Sequence, residues 1–296
     1  MSAKEVKPVA PLPFQWNLLA GAIAGVSEIL MMYPLDVVKT RFQLATGTGK
    51  APSLFTTLGD IVRSEGPRAL YRGILPPIMV EAPKRAIKFG ANESYKSFYL
   101  SKGLPDGQLL SILTGVSAGC TEATVVVSFD LVKIRLQDKA NAGMYKNTFD
   151  CVQKIWAQEG FFGFWKGLEA TVWRHAVWNG GYFGCIKTIR QVLPEPETKQ
   201  GLLAKNFVAG AIGGTVGTIL NTPFDVVKSR VQNQITAPFK YGWTIPAIAK
   251  IAKEEGAGAL YKGFLPKVLR LGPGGGILLV VFDQVSGFIR SNVLKQ

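Results

Sequence analysis

Pro34-Leu35-Asp36-Val37-Val38-Lys39-Thr40-Arg41-Phe42-Gln43 occurs in three versions along the chain. The second is Ser128-Phe129-Asp130-Leu131-Val132-Lys133-Ile134-Arg135-Leu136-Gln137, and the third is Pro223-Phe224-Asp225-Val226-Val227-Lys228-Ser229-Arg230-Val231-Gln232. The aspartates are 94 and then 95 residues apart. A fixed period of that size marks a triplicated structural unit. Each copy sets an acid three residues before a base, on one helical face, inside an otherwise apolar stretch. One such pair is ordinarily a solvated surface contact of little consequence. Three, at the same place in three apolar helices, require buried charge to be matched.

The repeats extend outward from this segment. Upstream, Gly21-x-x-x-Gly25 recurs as Gly115-x-x-x-Gly119 and Gly210-x-x-x-Gly214. Small residues four apart let helices approach closely in lipid. Downstream, Glu65-Gly66-x4-Tyr71-Arg72-Gly73 recurs as Glu159-Gly160-x4-Trp165-Lys166-Gly167 and Glu255-Gly256-x4-Tyr261-Lys262-Gly263. Each unit therefore reads as a long apolar helix, a polar connection with a short amphipathic helix, and a second apolar helix. The spacing predicts first helices over 15–43, 108–137 and 203–232, and second helices over 74–99, 168–191 and 264–290. Short helices are expected near 53–64, 147–158 and 244–254, each stopped by its Glu-Gly signal. Polar segments at 101–107 and 193–201 separate the units, so the chain divides into repeats 14–103, 104–198 and 199–296 of one domain.

Composition narrows the class. The 296 residues include 34 basic and 20 acidic side chains, a net charge of +14, and 47% are hydrophobic. Excess positive charge suits an anionic partner: nucleic acid, acidic lipid or a small anionic solute. A nucleic-acid binder would gather its basic residues on one exposed face; here many recur inside apolar helices, so no nucleic-acid partner is expected. None of the six long helices is an unbroken run of about 20 apolar residues, the usual membrane criterion. They could be soluble core helices or membrane helices with one face toward water. Charges within a span are costly unless paired or turned to an aqueous cavity, and their equivalent positions in every repeat favour the cavity.

Enzyme chemistry finds little support. Cys120, Cys151 and Cys185 show neither paired nor metal-type spacing, and His175 is the single histidine, so no metal site and no cofactor is expected. Gly47-Thr48-Gly49-Lys50 suggests a phosphate loop, but Leu44 stands where its first glycine belongs and Ala51 where its hydroxyl belongs. The glycines at 272–276 lack the strand context and last glycine of a dinucleotide fingerprint. Residues 1–13 resemble neither a secretory signal nor an Arg-rich presequence.

Pro34 and Pro223 fall within helical patterns, where proline removes a backbone hydrogen bond and kinks the helix. Ser128 takes that place in the second unit, where a back-bonded hydroxyl would bend the helix more mildly. Such bends would bring the three acid–base pairs toward a common axis. If the units surround a three-fold pore, each aspartate can reach the lysine of another unit.

The Pro-x-Asp-x-x-Lys-x-Arg segment, followed by Glu-Gly-x4-aromatic-basic-Gly and tripled at this period, is similar to the repeats of the mitochondrial carrier family from about 15 to 290. The resemblance implies an all-α membrane protein: six tilted transmembrane helices in a three-fold pseudosymmetric barrel with three short matrix helices. It further implies a monomeric transporter of the mitochondrial inner membrane, both termini toward the intermembrane space, alternating between two open states. A matrix-side gate would then pair Asp36 with Lys133, Asp130 with Lys228 and Asp225 with Lys39, braced by Gln43, Gln137 and Gln232. A cytoplasmic gate would use Glu93–Arg190 and Asp283–Lys96; its third link would join Lys187 to Ser286 and cannot be ionic. Arg72, Gly73, Lys166, Gly167, Lys262 and Gly263 resemble positions that bind cardiolipin, where lipid phosphate meets helix N-termini. Three charged contacts at roughly 1.5–3 kcal/mol each total about 5–9 kcal/mol, and a solute bound at millimolar to micromolar strength supplies about 4–8. Terms of similar size let binding tip the equilibrium, which favours obligatory exchange.

Cargo selection should reside where the repeats differ. Arg85 and Lys88 share one face of the second helix, Arg174 and His175 adjoin on the fourth, and Arg270 precedes a glycine-rich stretch on the sixth. These match the family's three solute contact points. All are cationic, which suits small dicarboxylate anions: arginine offers a planar fork and lysine a point charge. An amino-acid cargo would call for an acid at a contact point, and none is expected there. The segments Leu75-Pro76-Pro77, Pro83-Lys84-Arg85-Ala86, Arg174-His175 and Arg270-Leu271-Gly272-Pro273-Gly274-Gly275 are similar to those of family members exchanging the 2-oxodicarboxylates 2-oxoadipate and 2-oxoglutarate. Another di- or tricarboxylate, such as citrate or malate, remains the alternative cargo. For His175, a structural hydrogen bond competes with direct contact to cargo.

Overall fold

A computed structural model describes residues 12–47, 53–195 and 199–294, without the side chains of residues 199, 200 and 203. The N-terminal reading up to residue 11, loop positions 48–52, and the repeat edges at 196–198 and 295–296 lie outside the described residues. Nine α-helices occur among those described: α1 Phe14–Leu44, α2 Leu54–Glu65, α3 Leu75–Ser101, α4 Gln108–Gln137, α5 Thr148–Glu159, α6 Leu168–Val192, α7 Lys199–Asn233, α8 Thr244–Glu255 and α9 Phe264–Phe288. The order long, short, long repeats three times, close to the predicted boundaries.

The six long helices close a ring. Each packs on the next in chain order, α1 on α3, α3 on α4, α4 on α6, α6 on α7 and α7 on α9, and α9 returns to α1. Four regions pass the length and hydropathy criteria for a span: 14–44, 108–137, 204–233 and 257–293. α3 and α6 do not, because they carry Lys84, Arg85 and Lys88, and Arg174 and His175, within their length. Large apolar side chains such as Met31, Met79, Leu109, Phe207 and Leu279 are exposed around the ring, as a wall in contact with lipid requires.

The tripled segment splits its residues between two faces. Val37, Val38 and Phe42 pack with Leu54 and Ile61 of α2. Leu131, Val132 and Leu136 pack with Cys151 and Ile155 of α5, and Val226, Val227 and Val231 with Ala247 and Ile251 of α8. The apolar positions thus seat the short helices, leaving the acid–base positions to the axis. Each short helix ends at a glycine with positive φ, Gly66 at 84°, Gly160 at 70° and Gly256 at 87°, a backbone region that favours glycine.

The glycine pairs behave as expected in two repeats only. A Cβ on Gly25 would stand 2.1 Å from Glu81 Oε1, one on Gly115 2.6 Å from Phe183, and one on Gly119 2.6 Å from Asn179. In the third repeat Gly210 meets open space and Gly214 only loose contacts. Gly213 and Gly217 replace them, the latter within 3.1 Å of the Trp178 carbonyl, so α7 nests against α6 rather than α9. Ser128 lies inside α4, but its hydroxyl makes no hydrogen bond among the described residues, so the back-bonded bend is not formed.

Candidate functional site

Three acid–base links join the repeats around the axis at the end bearing the short helices. Lys133 Nζ lies 2.9 Å from Asp36 Oδ2, Lys39 Nζ lies 3.3 Å from Asp225 Oδ2, and Lys228 bonds Asp130. The connection is cyclic, each lysine reaching an aspartate of another repeat. Further cations join it. Arg270 places Nη1 2.6 Å from Asp36 Oδ1 and Nη2 3.0 Å from Glu28. Lys267 lies 2.6 Å from Asp225 and also bonds Asn221. A buried carboxylate has two oxygens to satisfy, and one lysine leaves half of that capacity open. Lys267 was absent from the sequence reading; a lysine within the apolar start of α9 was the available signal.

The three glutamines follow one turn beyond the lysines, buried, yet none hydrogen-bonds an Asp–Lys pair among the described residues. Gln43 accepts from Ser229 at 2.8 Å and Gln232 donates to the Val127 carbonyl at 3.2 Å. The Gln137 amide makes no hydrogen bond. The expected bracing is thus replaced by a separate buried layer, in which Gln43 meets a side chain and Gln232 a backbone carbonyl of another repeat.

Above the ring of ion pairs lies a cavity of about 260 Å³. Its wall includes the basic residues Lys39, Lys84, Lys133, Arg174, Lys228 and Arg270 and the acidic residues Asp36, Glu81, Glu122, Asp130 and Asp225, with His175 beside them. Arg174 and His175 belong to it; Arg85 and Lys88 stand on α3 at its edge, through Glu81 and Glu122 respectively. Arg85 Nε donates to Glu81 at 2.7 Å, and Lys84 bonds the same carboxylate. Lys88 is half exposed and its nearest carboxylate, Glu122, is 3.9 Å away. Arg174 stands 3.7 Å from Asp225 and 3.9 Å from Asp130, and its Nε has no hydrogen bond.

The expectation that no acid stands beside these cations is overturned. Glu28 on α1, Glu81 on α3 and Glu122 on α4 lie among them. A glutamate within an apolar helix was the signal for all three.

At the end bearing the termini the picture reverses. Glu93, Lys96, Arg190 and Asp283 are exposed, and no ion pair joins them among the described residues. The expected Glu93–Arg190 and Asp283–Lys96 links are therefore not made in this structure. Lys187 and Arg190 instead line a recess of about 630 Å³ between α4, α6 and α7. Helices there are joined by neutral contacts such as Tyr99 to Ser117 at 2.8 Å and Tyr95 to Thr121 at 3.1 Å.

Beyond the ion pairs, the two conserved-spacing motifs bond each other. Arg41 makes a two-pronged contact with Glu65 at 2.5 and 2.7 Å. Arg135 does the same with Glu159 and Arg230 with Glu255. The Arg41 guanidinium holds the Glu65 carboxyl below the usual carboxylate range. Arg72, Lys166 and Lys262 do not extend toward lipid, as the sequence reading placed them. They reach backbone carbonyls of the following repeat in cyclic order: Arg72 to Tyr145 at 3.4 Å, Lys166 to Gln234, and Lys262 to Ala45 at 3.0 Å. Carbonyls just past the ends of α1 and α7 draw Lys262 and Lys166 inward. Gly73, Gly167 and Gly263 sit at φ of 75°, 78° and 84°, and a Cβ on each would crowd Leu136, Gln232 or the Lys39 carbonyl.

A closed ring of six long helices with an apolar exterior, a charged cavity on its axis and ion pairs sealing one end defines a multi-pass membrane transporter of a small polar solute. The chain belongs to the mitochondrial carrier protein family, which it matches over residues 10–103, 106–197 and 199–293. It is 61% identical over 280 residues to a probable mitochondrial 2-oxodicarboxylate carrier of Dictyostelium discoideum, covering 94% of this chain and 92% of that protein. It is 57% identical over 293 residues to mitochondrial citrate transporter D of Aspergillus niger, covering 95% and 96%. The mitochondrial 2-oxodicarboxylate carrier of Mus musculus is 41% identical over 286 residues, covering 93% of this chain and 95% of that protein.

Proposed function

We propose that the chain is an inner-membrane antiporter exchanging 2-oxodicarboxylates of five to seven carbons, 2-oxoadipate and 2-oxoglutarate among them, by alternating access. The observation that carries this reading is a pair of cations not hydrogen-bonded to any carboxylate among the described residues: Lys88 at the edge of the cavity and Arg174 in its wall. Their nearest carboxylates stand 3.9 and 3.7 Å away, outside hydrogen-bond reach. Two cargo carboxylates would complete them, with Arg85, Arg270 and His175 beside the same space. The relatives' names support the same cargo class.

The short-helix end is the matrix side, and the structure corresponds to the state closed there. Both termini then face the intermembrane space. The cavity cations also hold the ring: Arg270 bonds Asp36, and Arg174 stands between Asp225 and Asp130. A bound anion competes for them with those aspartates and so loosens the matrix gate. Only cargo supplies that competition, so the empty carrier stays shut and transport proceeds by exchange. Glu93, Lys96, Arg190 and Asp283 form the cytoplasmic gate in the opposite state. Cardiolipin phosphate docks at the starts of α3, α6 and α9 through backbone N–H groups beside Gly73, Gly167 and Gly263, and the carrier works as a monomer.

Reconstitution in liposomes tests the reading. Labelled 2-oxoglutarate should enter vesicles loaded with 2-oxoadipate or 2-oxoglutarate and remain outside empty ones. Rapid exchange against ADP, with none against oxodicarboxylates, would overturn the cargo assignment.

A further inference from the structure

Three glutamates stand within the apolar spans around the cavity, and two are covered by arginine. Glu28 is held by Arg270 at 3.0 Å, and Glu81 by Arg85 at 2.7 Å. Glu122 differs. It is 95% buried on α4, it lines the cavity, and its Oε2 has no hydrogen-bond partner. The groups nearest it stop short: Lys88 Nζ from α3 at 3.9 Å and His175 Nδ1 from α6 at 3.8 Å. A desolvated carboxylate without a hydrogen bond is costly, and in a cavity for anions it also repels the cargo.

Its surroundings are fixed on every side. On α6, Arg174 Nη2 lies 2.5 Å from His175 Nε2. Arginine only donates, so Nε2 accepts and the ring proton sits on Nδ1, facing Glu122. On α7, Asp225 and Lys228 line the same space, already engaged with Lys267 and Asp130. α1 brings Asp36 and Lys39, joined to Lys133 and Asp225. α5 packs lower on α4, against Leu131 and Leu136. Glu122 is thus an acid at this cavity whose contacts with Lys88 and His175 stay too long for a hydrogen bond.

We infer that Glu122 is a selectivity residue: its carboxylate limits the cargo to two negative charges, and a neutral side chain in its place admits a third cargo carboxylate between Lys88 and Arg174. Without that carboxylate, the like-charge repulsion that excludes tricarboxylates is weakened. This rests on the dicarboxylate reading above.

The test uses the full chain and Glu122→Gln in liposomes loaded with 2-oxoglutarate. Initial uptake of labelled citrate and labelled 2-oxoglutarate is compared at one neutral pH, and their ratio is read. In Glu122→Gln the ratio of citrate to 2-oxoglutarate uptake should be several-fold higher than in the unaltered protein. Citrate's own ionisation is common to both proteins and cancels in the comparison. An unchanged ratio with intact 2-oxoglutarate exchange overturns the inference alone. No 2-oxoglutarate exchange by the unaltered chain overturns the cargo reading and this inference with it. Should Glu122→Gln fail to fold, Glu122→Asp retracts the acid from Lys88 and His175; a changed ratio supports the role and an unchanged one overturns it.

Discussion

At the short-helix end, Asp36, Asp130 and Asp225 each hold a lysine of another repeat, whereas at the opposite end Glu93, Lys96, Arg190 and Asp283 make no ion pair among the described residues. The same six helices build both ends, and ion pairs close only one of them among the described residues. The difference is also one of composition. The sealed end carries a complete three-fold set of acids and bases, reinforced by Lys267 and Arg270. The other set is incomplete, with Lys187 where an acid would serve and Ser286 where a base would. The ring is therefore expected to close more firmly on one side than the other, and cargo must contribute most where closure is firmest.

Substitutions can break that contrast. Arg270→Ala should have the largest effect, since Asp36 and Glu28 both lose a cation in a poorly solvated site. A buried charge left short of its partner costs about 3–5 kcal/mol, and exchange in liposomes should fall about a hundredfold or more. Lys39→Ala follows, because Asp225 keeps Lys267 as a second partner; a loss of about tenfold is expected. Lys96→Ala, at an exposed position, should cost about twofold at most. A greater loss from Lys96 than from Lys39 would reverse the assigned strengths of the two ends.

Packing gives a third probe. A Cβ on Gly263 would fall 2.9 Å from the Lys39 carbonyl, at a φ of 84°. Gly263→Ala should destabilise the protein by about 1–3 kcal/mol, seen as a lower melting temperature in detergent. Gly287, near the other end, has nothing within 4 Å of its Cβ position, and Gly287→Ala should melt at or slightly above the unaltered protein. The smallest effect is the most pointed. Lys187→Glu combined with Ser286→Lys completes the third link of the incomplete set. Lys187 is exposed and Ser286 buried; a partly exposed pair is worth about 1 kcal/mol or less, so maximal exchange should slow by about fivefold at most, and faster exchange would argue against a gate there.

The fold was legible because its signals are local and tripled. Proline-bearing apolar helices, Glu-Gly stops and recurring Asp-x-x-Lys steps each follow from short-range chemistry, and repetition at one period removes coincidence. Position on a helix face was legible too: Val37 and Val38 seat a short helix while Asp36 and Lys39 turn to the axis. Several side-chain destinations were not. Arg72, Lys166 and Lys262 look alike whether they meet lipid or a carbonyl of the next repeat, and only the neighbouring loop decides. The glycine pair of the third repeat carried the right spacing, yet α7 turned its other glycines, Gly213 and Gly217, toward α6.

By itself, the sequence determined the triplication, the order of helices and the residues able to form a ring of ion pairs, because these depend on spacing along one chain. Tertiary structure decided which charges compensate one another. Arg270 was read as a cargo contact, and the structure ties it to Asp36 and Glu28. Glu122 was one acid in an apolar helix, and the structure leaves it just beyond reach of Lys88 and His175. Electrostatic interactions change steeply over an ångström inside a poorly solvated site, and distances between repeats are set only when the ring closes.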